Sequence, residues 1–329
     1  MSRVEDFPVL ILGYMRFEGI LRNLEACQRA GISRVYLALD GPKDFTSREL
    51  QNNELIRIQN FAEVHDIKLR LRQRHSNAGL AVAVIEGISW FFDNEECGAI
   101  LEDDLAVSTD FFCFAVQALD AFKNNQTIAL VSGNNFHLDS PPSQVSATHY
   151  PLIWGWATRR AVWNDFLLSL RSPLIFKIDW KLPLPVIAFW WTAARQSRDG
   201  WVDSWAMSFS NYIRMRDLVC VLPPVNLVSN TGVDVFAVHS NSSDRFVNFP
   251  IAQLESKLIW QLPTKASITR HDQHLEKLVF KITGKSLLSP FKFILRSLVF
   301  KHFRKKKSLS DRLKTSSDNV DFSLSEGAP

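Results

Sequence analysis

AILEDDLAVSTDFF, residues 99–112, sets three consecutive carboxylates, Glu102, Asp103 and Asp104, between two apolar segments. Ala99, Ile100 and Leu101 lead into the acids. Leu105, Val107 and the Phe111–Phe112 pair follow them. A short apolar run bounded by polar residues reads as a buried strand, and the longer periodic run after it as a helix. The acids therefore stand at the end of a strand, next to residues of the core.

The same alternation extends upstream. PVLILGY (8–14) reads as a strand and FEGILRNLEACQRAG (17–31) as a helix with Ile20, Leu21, Leu24 and Cys27 on one face. RVYLALDG (34–41) is a second strand. TSRELQNNELIRIQNFAEVHD (46–66) is a second helix, with Thr46 and Glu49 as its expected capping box. IKLRLRQR (67–74), a helix over 76–95, the strand GAILEDD (98–104) and a helix over 108–125 complete the series. Strands alternating with helices predict an α/β fold, a mainly parallel sheet with helices on both faces. Ligands of such sheets bind outside the carboxyl ends of the strands. Parallel strands would gather Gly13–Arg16, Asp40–Gly41, Asn77–Gly79 and Glu102–Asp104 on one edge.

Composition narrows the class. The 329 residues are 46% hydrophobic and include ten Trp and 24 Phe, enough for a large aromatic core or cleft. The four cysteines form no CxxC pair, which argues against a disulfide framework or structural zinc and for a reducing cytoplasm. The N-terminal apolar stretch reads as a strand, not a signal peptide. LPLPVIAFWWTAA (182–194) is too short and proline-broken to span a membrane.

Charge is uneven. Residues 281–314 hold eleven Lys/Arg and one acid, although the whole chain carries only +4. Within 284–314, Leu287, Leu288, Phe291, Ile294, Leu295, Leu298 and Val299 recur at helical spacing among the basic residues. This predicts a basic amphipathic helix suited to the anionic inner face of the plasma membrane. No RNA- or DNA-binding motif accompanies it, so nucleic acid is not an expected partner. The polar residues 315–329 are expected to be disordered.

Three adjacent carboxylates repel one another unless a cation lies between them. Mg²⁺ or Mn²⁺ suits oxygen ligands and commonly takes one or two carboxylates plus substrate phosphates. No GxGxxG or GxxxxGK[ST] follows a strand, so neither a dinucleotide fingerprint nor a P-loop is supported. The competing reading of the triplet is a merely solvated strand end.

ILEDDLAVSTDFF resembles the nucleotide-sugar site of GT-A glycosyltransferases, especially the N-acetylglucosaminyltransferase I type. VLILGYMR and ALDG are similar to the first two nucleotide-binding strands of that fold. GWVDSWAMSFSNYIRMRDLVCVLPPVNLVSNTGVDVFAVHS (200–240) is similar to its acceptor half. The resemblance spans roughly residues 7–240. It implies Asp104 as a metal ligand, Asp103 near the ribose and diphosphate, and Glu102 facing the sugar. It further implies Arg16 beside phosphate, Asp40 at the nucleoside, and Asp203 as catalytic base. His239 would sit on a loop closing over the diphosphate, as a second metal ligand or a phosphate contact. The chain departs from the family at Asp203, reading W-V-D-S-W where the family has W-D-D-W. The resemblance puts IWGWATRRAVW (153–163) on the acceptor side, where Trp154 and Trp156 are candidates to stack on a sugar; aromatic core is the alternative.

These readings predict an inverting glycosyltransferase that uses Mn²⁺ or Mg²⁺, a nucleotide-sugar donor and a glycan or lipid-linked acceptor. A metal-dependent nucleotidyl- or phosphotransferase, or a glycan-binding protein on the same scaffold, are the alternatives. The expected layout is a nucleotide-sugar-binding half (1–130), an acceptor half of the same domain (131–265), a basic helical tail (266–314) and a disordered end (315–329).

Overall fold

The structure, a computed structural model, describes residues 3–136, 143–172, 184–232, 248–255, 258–282, 307–316 and 320–321. Strands β1 (Val9–Gly13), β2 (Arg34–Leu39), β3 (Lys68–Arg74) and β4 (Cys97–Glu102) pair in parallel in the order β3–β2–β1–β4. Helices α1 (Phe17–Arg29), α2 (Phe45–Val64) and α3 (Leu80–Asn94) make the crossovers. Helix α2 is capped by Asp44, whose side chain accepts from the Ser47 N–H at 2.8 Å, and not by the expected Thr46–Glu49 box.

Beyond β4 the sheet continues through β8 (Trp156–Arg159), β6 (Ile128–Ser132), β9 (Val219–Leu222) and β7 (Ser146–Thr148). At the opposite edge β11 (Val320–Asp321) joins β3. Of the nine strands described in this sheet, only β7, β8 and β11 run against the rest. The sheet is mixed, with mostly co-directional strands.

Successive strand residues point to opposite faces, and here both faces are covered. Val9, Ile11, Val35, Leu37, Ala99 and Leu101 pack with α1, α2 and α4 (Thr109–Ala121). Leu10, Leu12, Tyr36, Ala38 and Ile100 pack with α3, α5 (Arg160–Arg171) and α7 (Ala206–Met215), and α6 (Leu184–Arg198) lies against α7. Burial on both sides explains why these strands read as continuous apolar runs rather than alternating ones.

Strand β1 has β2 on one side and β4 on the other. The chain winds outward from β1 to β3, then α3 returns it to the far side of β1. The switch in strand order between β1 and β4 opens a crevice at their carboxyl ends, the usual ligand position in such sheets.

The C-terminal region differs from the expected tail. Helix α8 (Lys265–Ile282) is docked, with Leu275 and Glu276 buried. Its Asp272 accepts from the Thr148 hydroxyl and the His149 N–H. Most of the predicted amphipathic segment, 283–306, lies outside the described residues. Helix α9 (Leu309–Ser316) is seated with Leu309 only 1% exposed, in the core. Val320 and Asp321 pair with β3 where disorder was expected. Among the described residues no helix is long and apolar enough to cross a membrane.

Candidate active site

A cavity of about 780 Å³ opens at the β1–β4 crevice. Its lining includes Arg16, Asp40, Glu102, Asp103, Asp104, Trp154 and Asp203, so seven of the nine residues singled out by sequence meet there. His239 lies outside the described residues. Trp156 goes elsewhere.

The triplet is held by its backbone. Asn23 on α1 donates to the Glu102 carbonyl at 2.9 Å. A Cβ on Gly19 would overlap the Asp103 carbonyl, so α1 can approach this closely only through glycine. The Thr231 N–H donates to the Asp104 carbonyl at 2.7 Å, and the Thr231 hydroxyl donates to it at 3.0 Å. Asn230 donates from Nδ2 to Asp104 Oδ2 at 3.3 Å. Behind these contacts, β5 (Leu105–Val107) and β10 (Val228–Asn230) form a two-stranded antiparallel ribbon that carries the acids and the Asn-Thr-Gly turn together. Gly19, Asn23 and Asn230 were not singled out by sequence, because no motif distinguishes a helix glycine or asparagine that braces a neighbouring strand end.

Charge is concentrated here. The Tyr14 N–H donates to Asp103 Oδ2 at 2.9 Å, and Arg16 Nη1 lies 3.5 Å from Asp103 and 3.7 Å from Asp104. Burial pushes Asp103 up to about 6, although the Tyr14 N–H and Arg16 oppose it. Burial, with the Asp104 and Asp103 charges beside it, pushes Glu102 up to about 8. Three carboxylates, one buried and two half-buried, thus crowd beside the Arg16 guanidinium.

Asp40 lines the cavity and is also held by internal donors. It accepts from the Gly41 and Ala78 N–H groups at 2.8 and 2.9 Å and from Asn77 Nδ2 at 2.8 Å. Its carboxylate ties the end of β2 to the loop entering α3, and burial raises its pKa against those donors. Buried Gln51 donates to the carbonyls of Asp40 and Tyr14, joining the ends of β2 and β1. Lys43 lies over the Tyr14 ring at 5.6 Å, forming a cationic and aromatic rim.

On the other side stand Trp154 and Asp203. Trp154 packs edge-on against Phe136 at 5.8 Å. Gly155, at φ +65°, breaks the strand alternation, so Trp154 packs with the α1 face while Trp156 turns into the opposite core. Trp156 is 1% exposed and stacks on Trp205 at 5.9 Å. Its predicted contact with an acceptor is corrected to a core role. Asn134 and Asn135, in the Ser-Gly-Asn-Asn-Phe segment after β6, brace residues 223–228.

Asp203 does not cap α7, whose N-cap is Trp205. Its Oδ1 accepts from Arg312 Nη1 at 2.9 Å and the Ala81 N–H at 3.3 Å. Gly79, at φ +82°, leaves room for Oδ2, since a Cβ there would lie 2.8 Å from it.

Fold and site define an α/β protein with an acidic cavity at the switch point of its sheet. No protein family matches the sequence, and no curated protein matches it either. Solved structures that overlap it include HddC from Yersinia pseudotuberculosis complexed with GMP-PN, at 12% identity over 44% of this chain and 59% of that one, TM-score 0.26. The 4-diphosphocytidyl-2C-methyl-D-erythritol synthase of Anaerococcus prevotii overlaps at 11% identity over 53% and 81%, TM-score 0.32. The glycosyltransferase GlyE of Streptococcus pneumoniae overlaps at 11% identity over 63% and 43%, TM-score 0.30. The chain spans 59% of the length of the first and 43% of the third. These partial overlaps leave function to the chain's own residues.

Proposed function

We propose that this protein is an inverting, metal-dependent glycosyltransferase that moves a sugar from a nucleoside-diphosphate sugar to a hydroxyl of a glycan or lipid-linked acceptor. One observation carries the reading: a single cavity joins the acidic triplet and Arg16 to Trp154 and Asp203, segments far apart in sequence. Phosphate chemistry alone needs the first set. An aromatic face and an independent carboxylate across the same cavity suit a sugar and an attacking hydroxyl.

The donor set fits Mn²⁺ or Mg²⁺. Among the described residues the candidate ligands are carboxylate oxygens. Burial first, and the Asp104 and Asp103 charges second, raise Glu102, and a divalent cation relieves the repulsive part. Among the described residues no group of three or more His, Cys, Asp or Glu is arranged to hold a metal. The ion would take Asp104, with Asp103 beside it, and complete its shell with diphosphate oxygens and water. When bound, it neutralises charge on the departing diphosphate.

The chain's own groups supply the rest. Arg16 offers charged hydrogen bonds to phosphate. Trp154 offers an apolar face to a sugar ring. Asp203 accepts the proton of the attacking hydroxyl, a role that typically contributes 10²–10⁴-fold. Attack from the side opposite the leaving group inverts the anomeric centre. An acceptor on an anionic membrane would suit the basic composition of residues 281–314.

The test is thermal stabilisation by UDP-, GDP- and TDP-linked hexoses, with and without Mn²⁺. One nucleotide series should shift the wild type only with Mn²⁺, and Asp104→Ala should lose the shift. A panel without any shift would reduce the triplet to a strand end and reject the reading.

A further inference from the structure

We propose that Arg312 is a positioning residue for the Asp203 carboxylate, so that the acceptor side of the site is completed by the chain's own C-terminal helix. The proposal rests on Asp203 being the base.

Helix α9 is built into the molecule. Ser308 Oγ accepts from the Asp311 N–H at 3.1 Å and donates to Asp311 Oδ2 at 2.7 Å, closing the first turn. Buried Leu309 joins the aromatic cluster that contains Trp163, Phe166 and Trp205, and Leu313 packs against it. The chain entering the helix runs against the loop ahead of Asp203. Gly200 there has φ +74°, and a Cβ on it would overlap the Lys307 carbonyl. The helix and the loop that carries Asp203 are thus fitted to each other by apolar packing and close backbone approach.

Arg312 uses that seat. Its Nη1 donates to Asp203 Oδ1 at 2.9 Å and its Nη2 donates to the Ala78 carbonyl at 3.1 Å. One planar guanidinium therefore bridges the carboxylate and the loop entering α3. A guanidinium fork fixes geometry in a way a lysine ammonium does not. The Ala81 N–H holds the same Oδ1 at 3.3 Å. With Oδ1 engaged twice, Oδ2 is the oxygen left to face Gly79 and take a proton. The two side chains are 25% and 41% exposed, and an ion pair at that exposure contributes little to folding. The loss of Arg312 should therefore appear in turnover before it appears in melting temperature.

The experiment uses the full chain and four proteins besides wild type: Arg312→Gln, Arg312→Lys, Asp203→Asn and the double variant Asp203→Asn/Arg312→Gln. The probe is the nucleotide sugar giving the largest Mn²⁺-dependent thermal shift, with release of its nucleoside diphosphate to water as the readout. Arg312→Gln should lower kcat about 10-fold while nucleoside-diphosphate affinity stays within about twofold. Arg312→Lys should recover part of the loss. Asp203→Asn should lower kcat by roughly 10²–10⁴-fold, and adding Arg312→Gln to it should cost nothing more, because residues acting through one group are not additive.

Unchanged kcat in Arg312→Gln overturns the proposal, as does the same fractional loss with and without Asp203. A rise in kcat overturns it too, by making the contact an inhibitory latch. Wild-type turnover in Asp203→Asn rejects the base assignment itself, which separates the two failures. Should Arg312→Gln lose nucleotide binding through misfolding, Arg312→Lys alone and with Asp203→Asn carries the same comparison.

Discussion

The two sides of the cavity are held in place by different means. On the donor side, sheet topology does the holding. Asp103 accepts from the N–H at the end of the neighbouring strand, the Glu102 carbonyl is held by Asn23, and the Asp104 carbonyl by Thr231. On the side proposed to take the acceptor, Asp203 is held by an arginine 109 residues later and an N–H 122 residues earlier. The triplet is fixed by its neighbours at the β1–β4 crevice and by the β10 turn at Asn230–Thr231. Asp203, the proposed base, is placed by α3 and the C-terminal helix together.

Trp156→Ala breaks this comparison most strongly. The indole is buried, stacks on Trp205 at 5.9 Å and lies 5.5 Å from Phe209. Large-to-small changes at such sites cost about 3–5 kcal/mol, and the melting temperature should fall by roughly 4–7 °C. Trp205 sits two residues from Asp203, so the damage should reach the acceptor side first. Below its melting point the variant should bind nucleotide normally and turn over slowly. Equal loss of both would show that the two sides are not separately held.

The adjacent tryptophans also show where sequence reasoning reaches and where it stops. The succession of strands and helices, the shared edge and the acidic triplet are legible because short apolar runs and turn residues write them locally. Trp154 and Trp156 carry the same chemistry at the same strand parity, and only the left-handed backbone of Gly155 sends them to opposite faces. Asp203 was legible as a carboxylate, but its bond to α3 depends on tertiary packing. Arg312 was one arginine in a basic run. The Ser308–Asp311 cap that begins a separate helix there was the only local sign. Asp40, expected at a nucleoside, lines the cavity and also accepts from three internal donors, which no spacing could reveal.

Gly19→Ala is the converse perturbation, smaller and confined to the donor side. Its methyl would overlap the Asp103 carbonyl, so either α1 or the triplet must shift. Overpacking of this kind costs about 1–3 kcal/mol. Titration with nucleoside diphosphate and Mn²⁺ should show affinity falling by more than 10-fold, while near-ultraviolet circular dichroism of the tryptophan cluster stays as in wild type. Retained affinity would mean that the triplet tolerates displacement and is not the donor site.

The smallest expected effect is the most specific to charge. Burial and two neighbouring acids raise Glu102 to about 8, and burial raises Asp103 to about 6. A carboxyl whose pKa is higher folded than unfolded binds more protons in the native state. Native stability therefore falls as pH rises from the unfolded carboxyl range toward the folded value. Without metal, the protein should be more stable at pH 5 than at pH 8. Glu102→Gln should remove much of that decline, gaining on the order of 1 kcal/mol at pH 8 and little at pH 5. Mn²⁺ with nucleoside diphosphate should act in the opposite sense on the wild type, stabilising it more at pH 8, where fewer protons compete for the carboxylates. Chemical denaturation at the two pH values, with chelator and then with Mn²⁺ and nucleotide, measures both slopes. A chelated wild type as stable at pH 8 as at pH 5 would show that the triplet's charges are already balanced within the chain. The donor side would then be held by charge as well as by topology, and the contrast with Asp203 and its single arginine would disappear.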